Sequence, residues 1–152
     1  EFIEGKFLKI TDRKKEIFKT SGGKYIVPQA IENSLKESRF IEQAMVIGEN
    51  QKFPAAFIVP DFAFVRSWAD RHGLSFENLT NEEIITDPTL NKRMFEEIEK
   101  VNAHLGNWEQ IKKIKLLPNL FSIEGNELTP TLKLRRKIIL EKYNQEFNEI
   151  FE

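Results

Sequence analysis

The sequence predicts an α+β domain: an N-terminal β-hairpin, then a small, mostly antiparallel sheet with helices packed across it. Three observations carry this. Two apolar runs of strand length, residues 43–48 and 53–59, flank the polar stretch Glu49-Asn50-Gln51-Lys52, the pattern of an antiparallel pair. Apolar residues at helical spacing follow Asp61 and Asp87-Pro88, residues that open helices. Near the start, the alternating run Phe7-Leu8-Lys9-Ile10-Thr11 is followed by a second short apolar run, Ile17-Phe18, enough for the two halves of a hairpin.

In chain order, Leu8 and Ile10 share one face of the first strand, and Asp12-Arg13-Lys14-Lys15-Glu16 places three cations between two carboxylates. Ser21-Gly22-Gly23 supplies a backbone free to take left-handed conformations and to approach a ligand closely. After Tyr25-Ile26-Val27, Pro28 occupies the first position of a helix whose buried side is marked by Ile31 and Leu35. The runs 43–48 and 53–59 are apolar on consecutive residues, which predicts burial on both faces, with Pro54 at the start or edge of its strand. Asp61 caps a helix carrying Phe64, Val65, Trp68 and Ala69, ending by Gly73. Thr80-Asn81-Glu82-Glu83 is a capping box for a short helix through Ile84 and Ile85. Asp87-Pro88 opens a longer helix with the stripe Leu90, Met94, Ile98, Val101 and Leu105, running to Gly106. Ile114 and Leu116 alternate with lysines as a short strand, and residues 118–128 form a loop turning at Gly125-Asn126. A last helix from about Leu132 is expected to carry Leu132, Arg136, Ile139, Tyr143, Phe147 and Ile150 on one side, with Lys133, Arg135, Arg136 and Lys137 in its first turns.

The 152 residues fit one domain with its own core, residues 1–152 throughout. Apolar content of 40% with 31% charged residues is that of a folded, soluble chain, and thirteen phenylalanines point to a Phe-rich core. A net charge of −1 gives no global reason to expect nucleic acid or an anionic membrane as partner. Without cysteine there is no disulfide, thiol nucleophile or thiolate metal site, which fits the cytosol. No apolar run reaches membrane-spanning length, and no N-terminal stretch reads as a signal peptide. His72 and His104 stand far apart without acidic or histidine partners at ligand spacing, so neither a metal site nor a Ser-His-Asp arrangement is expected. Asn78-Leu79-Thr80 matches the glycosylation sequon by chance, and Trp68 belongs to the core. The basic run 133–137 reads either as a solvated helix face or as a phosphate or nucleic-acid patch. The chain opens on Glu1-Phe2-Ile3 without methionine, so a longer parent protein is expected.

Two stretches carry a resemblance. Asp12-Arg13-Lys14-Lys15-Glu16, then Lys19, then Gly22-Gly23-Lys24-Tyr25-Ile26-Val27-Pro28 and Ile31-Glu32 resemble the eighth core motif of the AMP-forming adenylating enzymes, most closely their long-chain fatty acyl-CoA ligase branch. Glu127-Leu128-Thr129-Pro130-Thr131-Leu132-Lys133-Leu134-Arg135-Arg136 resembles the tenth, Pro-x-Thr-x-x-Gly-Lys-x-x-Arg. Leu132 replaces the glycine of that pattern, in keeping with the Thr-Pro-Thr-Leu-Lys wording of the long-chain branch.

The resemblance implies a single mobile C-terminal domain, with a hinge near residues 12–16, of a long-chain fatty acid–CoA ligase whose large N-terminal domain is the partner. It further implies ATP, CoA and a fatty acid as substrates, with Mg2+ held by the N-terminal domain, and a cytoplasmic enzyme either free or peripheral at a membrane. Lys133 corresponds to the lysine that stabilises charge during adenylate formation. Lys15 falls at the hinge position. Arg13, Lys15 and Lys19 would contact nucleotide or adenylate, and Gly22, Gly23, Lys24 and Tyr25 would line the CoA channel, with Tyr25 at the position of an aromatic gate. The fragment alone is expected to be inactive. The alternative is a stand-alone regulatory module whose basic helix and hairpin bind a phosphate-bearing or protein partner, without catalysis.

Overall fold

The computed structural model describes residues 17–151. The predicted strand at 7–11 and the cluster 12–16, including Arg13 and Lys15, lie outside the described residues. The centre is a three-stranded sheet of order β3 (Ile41–Ile47), β4 (Ala55–Pro60), β5 (Lys113–Leu116). β3 and β4 are antiparallel, with Met45 opposite Phe57 and Val46 opposite Ala56. β5 joins β4 in parallel, Phe57 opposite Lys115. A parallel neighbour cannot be reached by a tight turn, so a long crossover is required. The chain supplies it with α2 (Phe62–Arg71), α3 (Asn81–Ile84) and α4 (Pro88–Asn102).

The unbroken apolar runs find their explanation here, because the sheet is covered on both faces. Ala44, Val46, Ala56 and Ile58 face a core shared with Ile31, Leu35, Val65, Trp68, Leu90, Met94 and Ile98. Met45, Ile47, Phe57 and Val59 face a second core with Phe121, Leu128, Ile139, Tyr143 and Ile150. Pro54 directly precedes β4, so its missing N–H breaks no bond within the strand.

The first four helices start where the sequence predicts. Pro28 opens α1 (Pro28–Leu35), and the Asp61 and Asp87 carboxylates accept the amides of Phe64 and Leu90 at 3.1 and 3.0 Å. Thr80 and Glu83 form a reciprocal capping box. Phe18–Lys19 (β1) pairs antiparallel with Tyr25–Ile26 (β2) across the glycine turn, while the expected partner of Ile17-Phe18 at 7–11 lies outside the described residues.

The C-terminal segment is a correction. The expected single helix from Leu132 is two helices, α5 (Arg136–Lys142) and α6 (Asn144–Phe151), separated at Tyr143. Leu132 is 66% exposed rather than on a buried side. Helix cannot begin earlier because Leu128 and Leu134 pair as a bridge and Leu132 has φ of +67°, outside helical space. At the break the Tyr143 ring is buried against Phe57 and Phe121, at centroid distances of 5.9 and 6.4 Å.

Candidate functional site: a lysine loop and a glycine turn

Lys133 sits on a closed loop, not on a helix. The Thr129 amide donates to the Lys133 carbonyl and the Leu132 amide to the Thr129 carbonyl, both at 2.8 Å. The Lys133 amide donates to Thr129 Oγ1 at 3.0 Å, and that oxygen lies 3.0 Å from Thr131 Oγ1. One threonine hydroxyl thereby fixes the backbone that carries the lysine, while the lysine side chain stands in solvent. Leu132, where the motif carries glycine, adopts the left-handed conformation glycine adopts freely. The replacement keeps the loop shape at a local cost of about 1–2 kcal/mol.

The stem below is built on Glu127, 2% exposed. Its Oε1 accepts the Ser122 amide and its Oε2 the Lys142 ammonium, each at 3.0 Å. The hydrogen bond with Glu127 holds the Lys142 ammonium above the usual lysine range, against the opposing effect of burial. On the other side, Arg136 at the start of α5 forks onto Glu32 of α1, at 2.6 and 2.7 Å. A groove lined by Gln29, Asn33, Lys36, Gln43, Ser122 and Lys133 runs between α1 and this loop. The run 133–137 is therefore not a continuous basic surface, since Arg136 turns inward.

The glycine turn is held elsewhere. The Thr20 amide donates to the Lys24 carbonyl at 3.0 Å and the Gly23 amide to the Thr20 carbonyl at 2.9 Å. The turn leans on the β3–β4 connection, where the Asn50 amide donates to the Lys19 carbonyl and the Ser21 amide to the Gln51 carbonyl, both at 2.9 Å. Only Gly23, at φ +84°, needs glycine for its backbone, and a Cβ there would meet nothing within 4 Å. The turn thus presents open backbone to anything approaching.

Strand pairing puts Lys19 opposite Tyr25 on the outer side of the hairpin. Tyr25 is 65% exposed with the Lys19 ammonium 5.5 Å from its ring centre. Lys24 lies 5.7 Å over the ring of Trp108, a half-exposed aromatic that sequence reading passed over for want of a pattern around it. Glu32 and Arg136 were also missed as a pair, although each is a letter of one of the two motifs. Lys19, Gly22, Gly23, Lys24 and Tyr25 therefore share one turn, Lys133 stands on a separate one, and Arg13 and Lys15 lie outside the described residues. Among the described residues no group of three or more His, Cys, Asp or Glu could hold a metal ion.

No helix among the described residues is long and apolar enough to cross a membrane. The adenylation domain of a carboxylate reductase from Mycobacterium chelonae superposes with a TM-score of 0.71 over 90% of this chain and 19% of that one, at 20% identity. A fatty acyl CoA synthetase from Mycobacterium tuberculosis gives 0.53 over 87% and 20%, at 18% identity. These likenesses establish the fold. In sequence, the chain is 37% identical to human long-chain-fatty-acid–CoA ligase 1 over 147 residues, 95% of this chain and 21% of that protein. It is 34% identical to long-chain-fatty-acid–CoA ligase FadD15 of Mycobacterium tuberculosis over 148 residues, 97% of this chain and 24% of that protein. The chain thus spans a fifth to a quarter of the length of these relatives. A sequence model of the family described as "AMP-binding enzyme C-terminal domain" matches residues 15–152, and with both of its loops formed the chain belongs to that family.

Proposed function

We propose that this chain is the C-terminal domain of a long-chain fatty acid–CoA ligase, working against an N-terminal domain that supplies the triphosphate cradle and the acyl pocket. In such an enzyme a fatty carboxylate oxygen attacks the α-phosphorus of ATP, and the bond to the pyrophosphate oxygen breaks. The thiol sulfur of CoA then attacks the acyl carbon, AMP leaves and the thiol proton passes to solvent. ATP, CoA and the fatty acid are the substrates of this reading, in the cytoplasm or at a membrane surface. Mg2+ bound with ATP is assigned to residues beyond this chain.

Lys133 is assigned to the first step. Negative charge accumulates between the carboxylate and the α-phosphate, and a fixed ammonium there stabilises it without moving a proton. The observation that carries this is the clamped Thr129–Lys133 loop, which fixes the lysine backbone and leaves its ammonium exposed. Gly22, Gly23, Lys24 and Tyr25 are assigned to the second step, where the thiol arm must pass close to open backbone. Lys19, beside Tyr25, is assigned to the adenylate, and Arg13 with Lys15 to the nucleotide and the hinge. The alternative, a stand-alone module binding a phosphate-bearing or protein partner through its basic helix and hairpin, is weakened by the inward turn of Arg136, which interrupts the basic run.

The test uses the full-length enzyme with Lys133→Ala. Adenylate formation, followed as pyrophosphate release, is expected to fall by about 10²–10³-fold, the usual cost of one transition-state contact. Thioester formation from synthetic acyl-adenylate is expected to change far less. Equal losses in both steps would mean that Lys133 serves the structure rather than the adenylation.

A further inference from the structure

We propose that Arg136 is a positioning residue for Lys133 and that Glu32 is the anchor through which it acts. The proposal rests on the assignment of Lys133 to adenylation. The loop's own hydrogen bonds run between Thr129 and Lys133, so they give the loop its shape without saying where it points. Its direction relative to the sheet must come from its ends. Upstream, a polar tie to the sheet is made at Phe121, whose amide donates to Gln43 Oε1 at 2.6 Å and whose carbonyl accepts from Gln43 Nε2. Between that tie and Lys133 the stem is closed by Glu127, which holds Ser122 and Lys142, and by the Leu128–Leu134 bridge against the second core. Downstream, Arg136 follows Lys133 by three residues and opens α5.

The Arg136 guanidinium takes the Glu32 carboxylate in a two-pronged contact, 2.6 Å from Nη1 to Oε2 and 2.7 Å from Nη2 to Oε1. Glu32 Oε2 also accepts the backbone amide of Val46 in β3 at 2.7 Å. β3 is the outer strand of its sheet, so this donor lies on the edge that the ladder leaves unused. One carboxylate thus joins α1, β3 and the first residue of α5, with side-chain exposures of 5% for Glu32 and 16% for Arg136. A planar fork on a buried carboxylate fixes direction as well as distance, which a lysine ammonium cannot do. A catalytic group displaced by about 1 Å can lose on the order of 10² in rate.

A merely structural ion pair would, when broken, weaken the fold and both half-reactions alike. A residue that touches nucleotide directly would raise the KM for ATP. Positioning makes a different forecast, and full-length Arg136→Met separates the three. Adenylation kcat is expected to fall about 10- to 100-fold, with the KM for ATP within about twofold and thioester formation from acyl-adenylate within about threefold. Arg136→Lys should recover part of the loss, and Glu32→Gln should shift the steps in the same direction as Arg136→Met.

Hydrogen exchange of the full-length chain supplies a readout independent of catalysis. The Leu132 and Lys133 amides should exchange faster in Arg136→Met while those of β4 stay protected. Equal loss of both half-reactions, unchanged adenylation, a tenfold rise in ATP KM at constant kcat, or unchanged loop exchange would each overturn the proposal. A Lys133→Ala enzyme that adenylates normally would overturn the reading of Lys133 itself. A slowed Lys133→Ala enzyme beside a normal Arg136→Met enzyme would remove the positioning role alone.

Discussion

At the scale of single residues, backbone conformation separates replaceable positions from fixed ones. Leu132 and Gly48 both have positive φ, +67° and +138°. Leu132 is exposed and unhindered, so Leu132→Gly relieves the left-handed strain while giving the unfolded chain more freedom, and the two effects nearly offset. Gly48 has no such latitude, because a Cβ there would lie 2.9 Å from the Phe53 carbonyl oxygen and 3.0 Å from Pro54 Cα. In urea unfolding, Leu132→Gly is expected to change stability by less than about 1 kcal/mol, and Gly48→Ala to remove more than about 2 kcal/mol. A Gly48→Ala chain as stable as the parent would show that the turn supporting the glycine loop can rearrange.

Among elements, α4 is fastened to the start of the sheet through a carboxylate that should register in pH titration. Glu97 of α4, nearly buried, accepts from Ser38 at 2.7 Å, from Arg93 at 2.6 Å and from Lys100 at 2.8 Å. Burial pushes this carboxyl up, but the hydrogen bonds from Lys100, Ser38 and Arg93 outweigh it and hold it below the ordinary value of 4.5. A carboxyl whose pKa is lowered by folding contributes stability that is present above the unfolded value and is lost as pH falls through the folded one. Melting temperature is therefore expected to drop below about pH 4.5 partly through Glu97. Glu97→Gln should be less stable at neutral pH and show a shallower acid limb. A parallel pair of curves, offset but with the same slope, would remove Glu97 from that linkage.

At the level of the whole molecule, the two loops assigned to the two half-reactions belong to one body but are fastened to different parts of it. The glycine turn leans on the β3–β4 connection, and the lysine loop on Glu127 and the Glu32–Arg136 pair. Two loops fixed to one rigid body can serve one cleft in succession only if the body turns, and turning requires a few residues that absorb the dihedral change. The charged stretch 12–16 precedes both loops in the sequence. Because proline locks φ, full-length Lys15→Pro is expected to retain adenylation and lose thioester formation, followed as AMP and acyl-CoA release. Normal rates for both steps would place the pivot elsewhere.

The sequence by itself determined what depends on neighbours along the chain. Caps at Asp61, Thr80 and Asp87, Pro28 at a helix start and the two-sided apolar runs of β3 and β4 follow from local donors, fixed φ and apolar periodicity. The two motifs and their order likewise pointed to the family that the comparisons established. Tertiary structure decided what depends on residues far apart in the chain. The parallel seat of β5 and the packing of Tyr143 on Phe57 are of this kind, while the loop in place of the first turns of the last helix is closed by the nearby Leu128–Leu134 bridge, which outweighs the helical spacing of that segment. The Glu32–Arg136 fork is again long-range, closing across 104 positions of sequence. No local pattern marks a buried carboxylate's partner, because the reason to pair is the shared loss of water and not any spacing along the chain.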